Sequence, residues 1–376
     1  MFLLDKTTVV TSATDLIQAA TCEFAFMRKL DQKLGRDVVV PEVDDEMLKR
    51  AGVLGDQHEE RQLESYIADL GESHVAIIPR PADLSAASLS SRETETVAAL
   101  KSDAEIVFQA TFFEPQQKPA TSKNHPAIAF VGYADFIART PNENGEPVWQ
   151  VQDTKLARSP KPAALVQIAA YAQQLERLGF ETHEDGVIIL GDGSRSAHRL
   201  SEVFPLFLSR RERMHALIYK SWNLGSPIEW EDTTGDEATL QACRRCEVCE
   251  PEVLRTRDPL LIGGIRVQQR DRLYAAGYKT IDDVASIYES AQKGSTSIEG
   301  INQQVLKKVT AQAHVQLQSE AQADGKPAWV VLDPSALATI PEPSPGDIFF
   351  DFEGDPLYHG VLPSGTEVWN IDYLFG

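Results

Sequence analysis

The sequence has few cysteines, no long apolar run and no excess of basic residues. Four cysteines in 376 residues are too few for a scaffold held together by disulfides. No apolar run is long enough to cross a bilayer, and the N-terminus lacks the basic-then-apolar order of a signal peptide. The net charge of −20 argues against a general nucleic-acid coat protein but allows a nuclease whose contacts are confined to one cleft. We therefore expect a cytoplasmic protein without a membrane partner.

The composition and hydrophobic patterning indicate a mixed α/β domain. With 42% hydrophobic and 24% charged residues, the chain is typical of soluble proteins that have a large core. A capping box from Ser12 to Asp15 opens the first predicted helix. The patterns predict helices over 14–30, 45–68 and 162–178, and strands over 104–114, 127–139, 148–156 and 187–190. This order suits an α/β domain that closes near residue 250.

The central stretch is the predicted strand 148–156, which carries Asp153 and Lys155. Residues two apart on a strand point to the same face, so a carboxylate and an ammonium lie side by side. A turn-rich segment over 141–147 predicts a hairpin with the preceding strand. This hairpin brings Asp135 toward the same strand end as Asp153, and His58 could add an imidazole.

This set of residues suits phosphodiester hydrolysis. A divalent cation neutralises the phosphate and lowers the pKa of an attacking water. Magnesium prefers hard oxygen ligands and needs few of them from the protein, so two or three carboxylates are sufficient. Asp135, Asp153 and Lys155 supply two acids and a base. Arg158 and Lys161 lie near in sequence and either hold the phosphate backbone or are solvated surface charges.

The ordered motifs resemble those of RecB-family nucleases of the PD-(D/E)XK superfamily. The resemblance rests on His58 in G-x-x-H-E, Asp135 in G-x-x-D, Asp153-Thr-Lys155, and Gln167-x3-Tyr171. It implies a restriction-endonuclease-like core, a mixed sheet flanked by helices. It also implies that His58, Asp135, Asp153 and the Thr154 carbonyl bind Mg²⁺ or Mn²⁺. Lys155 would be the catalytic lysine, with Gln167 and Tyr171 contacting DNA and bracing the site.

All four cysteines fit a single metal centre. Cys243, Cys246 and Cys249 form C-x2-C-x2-C, and Cys22 stands more than two hundred residues earlier. In a cytosolic chain this spacing favours a metal or a cluster, and four thiolates suit either Zn²⁺ or a [4Fe–4S] cluster. The resemblance to the iron–sulfur subgroup of these nucleases favours the cluster, although that subgroup often spaces its last two cysteines further apart.

A helical region follows the predicted nuclease domain. We expect the nuclease domain over 1–250, a helical region over 251–325, and a linker with a further domain over 326–376. Ile262-Gly-Gly-Ile265 and Ile298-Glu-Gly-Ile301 each precede a helical run and resemble helix-hairpin-helix units, whose amides can hold DNA phosphates. A small helical spacer is the alternative interpretation.

The tail from Phe349 to Asp355 resembles the first motif of a DEDD, RNase H-like exonuclease domain. Asp351 and Glu353 lie two apart, but later acids that such a site needs do not follow, so we expect a truncated domain. The whole arrangement is similar to the N-terminal part of RecB-like nuclease–helicases. It implies a metal-dependent deoxyribonuclease in DNA repair, with single-stranded or free-ended DNA as substrate and a helicase as partner. The alternative is a non-catalytic, zinc-stapled nucleic-acid-binding module that serves a helicase.

Overall fold

A computed structural model describes residues 1–42, 44–122, 125–233, 240–348 and 350–375. The chain divides into two compact units, one of Met1–Glu229 with Leu240–Cys243, the other of Trp230–Thr239 with Arg244–Gly376. None of the described helices is both long and apolar enough to span a membrane.

The first unit is built on a mixed eight-stranded sheet flanked by helices, so the predicted α/β class is confirmed. Its strands are β1 (Phe2–Asp5), β2 (Thr8–Thr11), β3 (Val75–Ile77), β4 (Ile106–Lys118), β5 (Ala127–Pro141), β6 (Pro147–Lys155), β7 (Asp185–Leu190) and β8 (Arg195–Arg199). Its helices are α1 (Ala13–Thr21), α2 (Glu23–Lys33), α3 (Glu46–Leu70), α4 (Ala86–Leu100), α5 (Pro162–Arg177) and α6 (Leu200–Leu224).

Strand β5 is the branching strand of this sheet. The sheet runs β1-β2-β5-β6-β7-β8, while β4 lies along β5 and pairs in turn with β3. The first residues of β5 pair in parallel with β2, from Ala127 to Phe130. Its last residues pair antiparallel with β6, from Phe136 to Pro141. Between these two segments, residues 131–135 of β5 pair with neither β2 nor β6, and the sheet forks there. Asp135 is the last residue of this fork.

Strand β6 lies between β5 and β7, and this position explains its burial. Residues Val148 to Thr154 are all buried, because the sheet covers both edges of the strand and helices cover its faces. Beyond the hairpin with β5, the end of β6 pairs in parallel with β7, with Asp153 opposite Ile188. The hairpin itself was predicted correctly: Asn142 N donates to Glu146 O at 2.9 Å.

The first predicted helix is wrong in one respect, because it is two helices. The capping box from Ser12 to Asp15 is present and opens α1. The chain then becomes extended at Cys22, with φ −155° and ψ 101°, and this residue caps α2. Periodicity predicts a continuous helix, but the break at Cys22 lets its Sγ accept from Ala25 N and from Cys243 N.

Helix α2 is tied to distant parts of the same unit by two buried acids. Asp31 is fully buried and accepts hydrogen bonds from Ser221 Oγ and from Ile228 N, both at 3.0 Å. Glu23 accepts from the Arg213 guanidinium at 2.6 and 2.7 Å and from Gln241 N at 3.0 Å. Arg213 pairs the charge of Glu23, and Arg36, with Nη1 2.5 Å from Oδ1, pairs that of Asp31, so neither buried carboxylate carries an unpaired charge.

The second unit contains short helices around a core of its own, followed by a strand pair. Its elements are α7 (Glu250–Arg255), α8 (Val267–Ala275), α9 (Ile281–Ser286), α10 (Tyr288–Lys293), α11 (Gln303–Glu320), α12 (Pro334–Leu337), β9 (Phe352–Val361) and β10 (Glu367–Phe375). Leu273, Val284 and Leu306 lie at the centre of the helical core. Strands β9 and β10 pair antiparallel, while Phe349 of the predicted tail motif lies outside the described residues.

The two predicted helix-hairpin-helix segments have the same backbone conformation. Gly264 and Gly300 occupy the same position in their hairpins, with φ of 77° and 73°, a region that glycine adopts at little cost. Each hairpin is closed by an isoleucine amide that bonds the carbonyl three residues earlier, at 3.1 Å for Ile265 and 3.0 Å for Ile301. Helices α8 and α11 begin directly after them.

Candidate active site and four-cysteine cluster

Asp153 is a buried carboxylate whose charged partner is the ammonium of Lys155. Its side chain is 1% exposed, and Lys155 Nζ lies 2.5 Å from Oδ2. A buried carboxylate is normally satisfied by several donors, and here a second acid, Asp135, lies beside it instead.

Asp135 approaches the end of β6 from β5. Its Oδ2 accepts from Thr154 N and from Thr154 Oγ1, both at 2.8 Å. The predicted hairpin therefore does bring Asp135, Asp153, Thr154 and Lys155 to one strand end. Both bonds from Thr154 go to Oδ2 and hold the Asp135 carboxylate against the end of β6, beside Asp153.

The electrostatics of this strand end favour a bound cation. Burial, reinforced by the nearby charge of Asp135, raises the pKa of Asp153 to about 7, although Lys155 opposes the rise. A divalent cation would remove the cause of this shift, because it replaces lost hydration with direct oxygen coordination. Carboxylate oxygens are the type of donor that Mg²⁺ and Mn²⁺ take, but His58, Asp135 and Asp153 do not form a group of three donor atoms within 4.8 Å of one another.

His58 lies at the same end of the sheet and is held as a neutral imidazole. It is buried in α3, and burial lowers its pKa. Its Nε2 lies 3.4 Å from the carbonyl oxygen of Ile189 on β7. A carbonyl only accepts, so this contact places the proton on Nε2 and leaves the lone pair of Nδ1 for a ligand.

Two residues that the sequence reasoning passed over join this group, Glu59 and Gln109. The Gln109 side-chain amide donates to Glu59, and burial together with the charge of Asp135 raises the pKa of Glu59 to about 7. Gln109 lies within β4 but has φ 56°, a left-handed conformation that costs energy outside glycine. Glu59 follows His58 directly in the G-x-x-H-E motif, so the sequence could have identified it as a site residue. No sequence pattern predicts the left-handed conformation of Gln109.

Gln167 and Tyr171 lie on one face of α5, as predicted. Gln167 Nε2 donates to Tyr171 Oη at 3.3 Å, and burial raises the pKa of Tyr171. The tyrosine ring packs directly on Gly132 in the fork of β5, where an added Cβ would lie 2.6 Å from Tyr171 Cε1. Tyr171, held by Gln167, therefore packs against β5 three residues before Asp135 and helps to keep this part of the strand in place.

The four cysteines come together. Their sulfur atoms all lie within 4.8 Å of one another, with Cys22 and Cys249 buried and Cys243 and Cys246 half-buried. Cys22 Sγ also accepts from Ala25 N at 3.4 Å and from Cys243 N at 3.3 Å. Four thiolates at this spacing could hold a metal ion, either zinc or the iron of an iron–sulfur cluster. Among described His, Cys, Asp and Glu residues, no other group of three or more donors is equally close.

The predicted phosphate contacts are less uniform. Arg158 and Lys161 are exposed on the segment between β6 and α5. In the first hairpin, the amide of Gly263 already donates to Gln316 Oε1 at 2.7 Å, so a phosphate would have to displace this glutamine. The tail acids Asp351 and Glu353 are both exposed.

Comparison with known proteins identifies no family for this chain. No family model and no curated protein matches it. A solved structure titled "Crystal structure of SSO0001" is 14% identical, with 55% of this chain and 77% of that chain covered and a TM-score of 0.24. A similarity of this size supports no conclusion about the fold family or the activity.

Proposed function

We propose that this chain is a metal-dependent deoxyribonuclease of the RecB type, with a PD-(D/E)XK core and Mg²⁺ or Mn²⁺ at the strand end of β6. The proposal rests on Asp153, a buried carboxylate that is paired with the Lys155 ammonium at 2.5 Å and lies beside a second acid, Asp135. A divalent cation would offset the negative charge of the two neighbouring carboxylates that Lys155 leaves unbalanced. The order of the sequence motifs supports the same conclusion.

In this proposal the residues have distinct roles. Asp135 and Asp153 supply carboxylate oxygens, and His58 supplies Nδ1 because Nε2 faces the Ile189 carbonyl. When bound, the metal ion neutralises the scissile phosphate and lowers the pKa of the attacking water. The ammonium of Lys155 stabilises negative charge that develops on the phosphoryl oxygens. Gln167 and Tyr171 hold the neighbouring strand in place and contact the DNA.

The exposed and helical parts of the chain would serve substrate binding. Arg158 and Lys161 contact phosphates, which gives affinity without sequence preference. A substrate that is single-stranded or has a free end suits a nuclease that works with a helicase in DNA repair. The β9–β10 strand pair follows the acids of the RNase H-like motif resemblance and has no catalytic role of its own in this proposal.

The test is a metal add-back assay on DNA. Protein stripped with a chelator should not cleave single-stranded or free-ended duplex DNA, and Mg²⁺ or Mn²⁺ should restore cleavage. Asp135→Asn protein purified in parallel controls for contaminating nucleases and should stay inactive. If the wild-type protein binds DNA but never cleaves it with either metal, the alternative holds, a non-catalytic binding module stapled by zinc.

The four-cysteine cluster is proposed to hold a [4Fe–4S] cluster, with zinc as the alternative occupant. Visible absorption and metal analysis of anaerobically purified protein separate the two. Cys22→Ser should lower the metal content and the melting temperature, since Cys22 joins residues more than two hundred positions away. Ser12→Ala, at the cap of α1, is the matched control for a local helix defect. Full metal content in the Cys22→Ser protein would exclude Cys22 as a ligand.

A further inference from the structure

Helix α3 carries His58 but is anchored by few buried residues. Of its 25 residues, two are buried, His58 and Tyr66. They are eight positions apart, which is about 12 Å along the helix axis. Leu63 and Ile67 also pack against the core beside Tyr66, but the polar contacts that fix the register of the helix near His58 are those of Tyr66.

The Tyr66 hydroxyl makes two hydrogen bonds. It donates to Gln152 Oε1, and it accepts from Arg195 Nη2 at 2.8 Å. Arg195 Nη1 also donates to Gln152 Oε1 at 3.3 Å, which closes a three-residue ring of hydrogen bonds. The Gln152 amide cannot turn over freely, because its Nε2 donates to Gln150 Oε1 at 2.9 Å.

These bonds connect α3 to the strands that form the strand-end site. Gln152 is buried and directly precedes Asp153 on β6. Arg195 lies opposite Ile189 in the β7–β8 register, and the Ile189 carbonyl is the group that contacts His58. Tyr66 thus fixes α3 against β6 and β8, and His58 reaches the strand between them.

We propose that Tyr66, Gln152 and Arg195 form a positioning clamp, which holds His58 at the correct distance from Asp153 for metal binding. This inference rests on the proposed function of the strand end. Groups that orient a metal ligand commonly change metal affinity by about 10- to 100-fold when they are removed. The clamp acts through His58 and does not itself touch metal or substrate.

Tyr66→Phe is a clean test of the hydroxyl. The ring packs edge-on against Phe136 with centroids 5.3 Å apart, and phenylalanine preserves this packing. The affinity for Mn²⁺ alone is measured by calorimetry on wild-type, Tyr66→Phe, His58→Ala and double-variant protein. Tyr278→Phe, a half-buried tyrosine of the helical core, is the matched control.

We expect Tyr66→Phe to weaken Mn²⁺ binding about tenfold with little change in melting temperature, and to have no further effect once His58 is alanine. Wild-type affinity in Tyr66→Phe, or an equal additional loss in the His58→Ala background, would overturn the clamp. Should Tyr66→Phe fail to fold, Arg195→Met tests the same ring from its exposed side and should weaken binding in the same direction. Asp153→Asn tests the proposed function separately: if it binds Mn²⁺ like wild type, the strand-end site is wrong whatever Tyr66 does.

Discussion

The sequence suggests a metal site at two places where charged residues lie two positions apart. One is Asp153 with Lys155, and the other is Asp351 with Glu353. The surroundings of the two pairs differ. Asp153 is buried in a central strand and faces a second acid, Asp135. Asp351 and Glu353 are exposed, and Asp351 accepts the amide of Phe352 at 2.8 Å just before β9 begins. The spacing within the two pairs is the same, but only Asp153 is buried, and burial raises the free energy of its carboxylate enough to favour a cation.

The largest expected effect is on the cleavage rate, when alanine replaces each residue of the two pairs in turn. Asp153→Ala and Lys155→Ala should each reduce metal-dependent cleavage by about 10²-fold or more, because each removes a group that stabilises the transition state. Asp351→Ala and Glu353→Ala should leave the rate unchanged. Initial rates on labelled DNA, with circular dichroism to verify folding, measure the contrast.

The comparison breaks down if the tail variants lose activity or the strand-end variants keep it. Deletion of 347–376 extends the same test and should leave cleavage intact. Loss of cleavage on deletion would mean that the acidic tail belongs to the working site.

The pH dependence of stability sharpens the comparison for Asp153. Its folded pKa of about 7 lies above the ordinary aspartate value of 3.8, so between these pH values the folded protein holds a proton that the unfolded chain has lost. Stability is therefore full below the unfolded pKa and falls as the pH rises through the window up to about 7. Asp153→Asn removes this loss and should raise the metal-free melting temperature at about pH 8 but not at about pH 4.

Thermal melts in a chelator measure this difference. Excess Mn²⁺ should reverse the order at the higher pH, since only the wild-type carboxylate gains the cation. Asp351→Asn is the exposed control and should show no such pH-dependent gain. An equal shift at both pH values would indicate that Asp153→Asn acts through packing.

Gly132→Ala tests whether close packing around the buried acids maintains the site. The added Cβ would lie 2.6 Å from the Tyr171 ring and 3.0 Å from that of Phe130, so we expect a loss of about 1–3 kcal/mol in the free energy of unfolding. Gly52→Ala, in α3 with open space around it, should be neutral or stabilise by up to about 1 kcal/mol. Urea denaturation compares the two. A neutral Gly132→Ala would show that Tyr171 does not brace the fork.

The smallest expected effect concerns salt. Arg158 and Lys161 follow the strand-end site, and each lost phosphate contact should lower the slope of log affinity against log salt by about 0.7–0.9. Fluorescence anisotropy with single-stranded DNA measures this slope for Arg158→Ala and Lys161→Ala. Lys326→Ala, a 79% exposed lysine of the second unit, is the control and should not change it. Unchanged slopes in all three variants would remove these residues from the DNA path.

Local patterns were sufficient to predict the central part of the fold. Periodicity, the turn residues and Pro162 at the start of α5 gave β4 to β6 and α5 to within a few residues. Strand β8 was missed because its sequence, Arg-Ser-Ala-His-Arg, is polar and lies at the edge of the sheet. The break at Cys22 was missed because it depends on packing with residues near 243, which periodicity does not report.

The acidic site was predictable for a different reason. Asp135, Asp153 and Lys155 meet because a short hairpin fixes their register, which the sequence shows directly. Glu59 and Gln109 meet across 50 positions and through a left-handed strand residue, which no local pattern encodes. The restriction-endonuclease-like classification stays a prediction from the motif order.

The bonds of α2 determine when the first unit can finish folding during synthesis. Asp31 can pair early with Arg36, but its bonds from Ser221 and Ile228 need residues 190 and 197 positions further along the chain, and Glu23 needs Gln241, 218 positions away. At ribosomal speeds of about 5–20 residues per second, these distant partners emerge about 10–40 s after the acids. We therefore expect α2 to dock last and to resist limited proteolysis on stalled ribosomes only after Gln241 has left the exit tunnel. Protection at much shorter chain lengths would show that the helix docks without them.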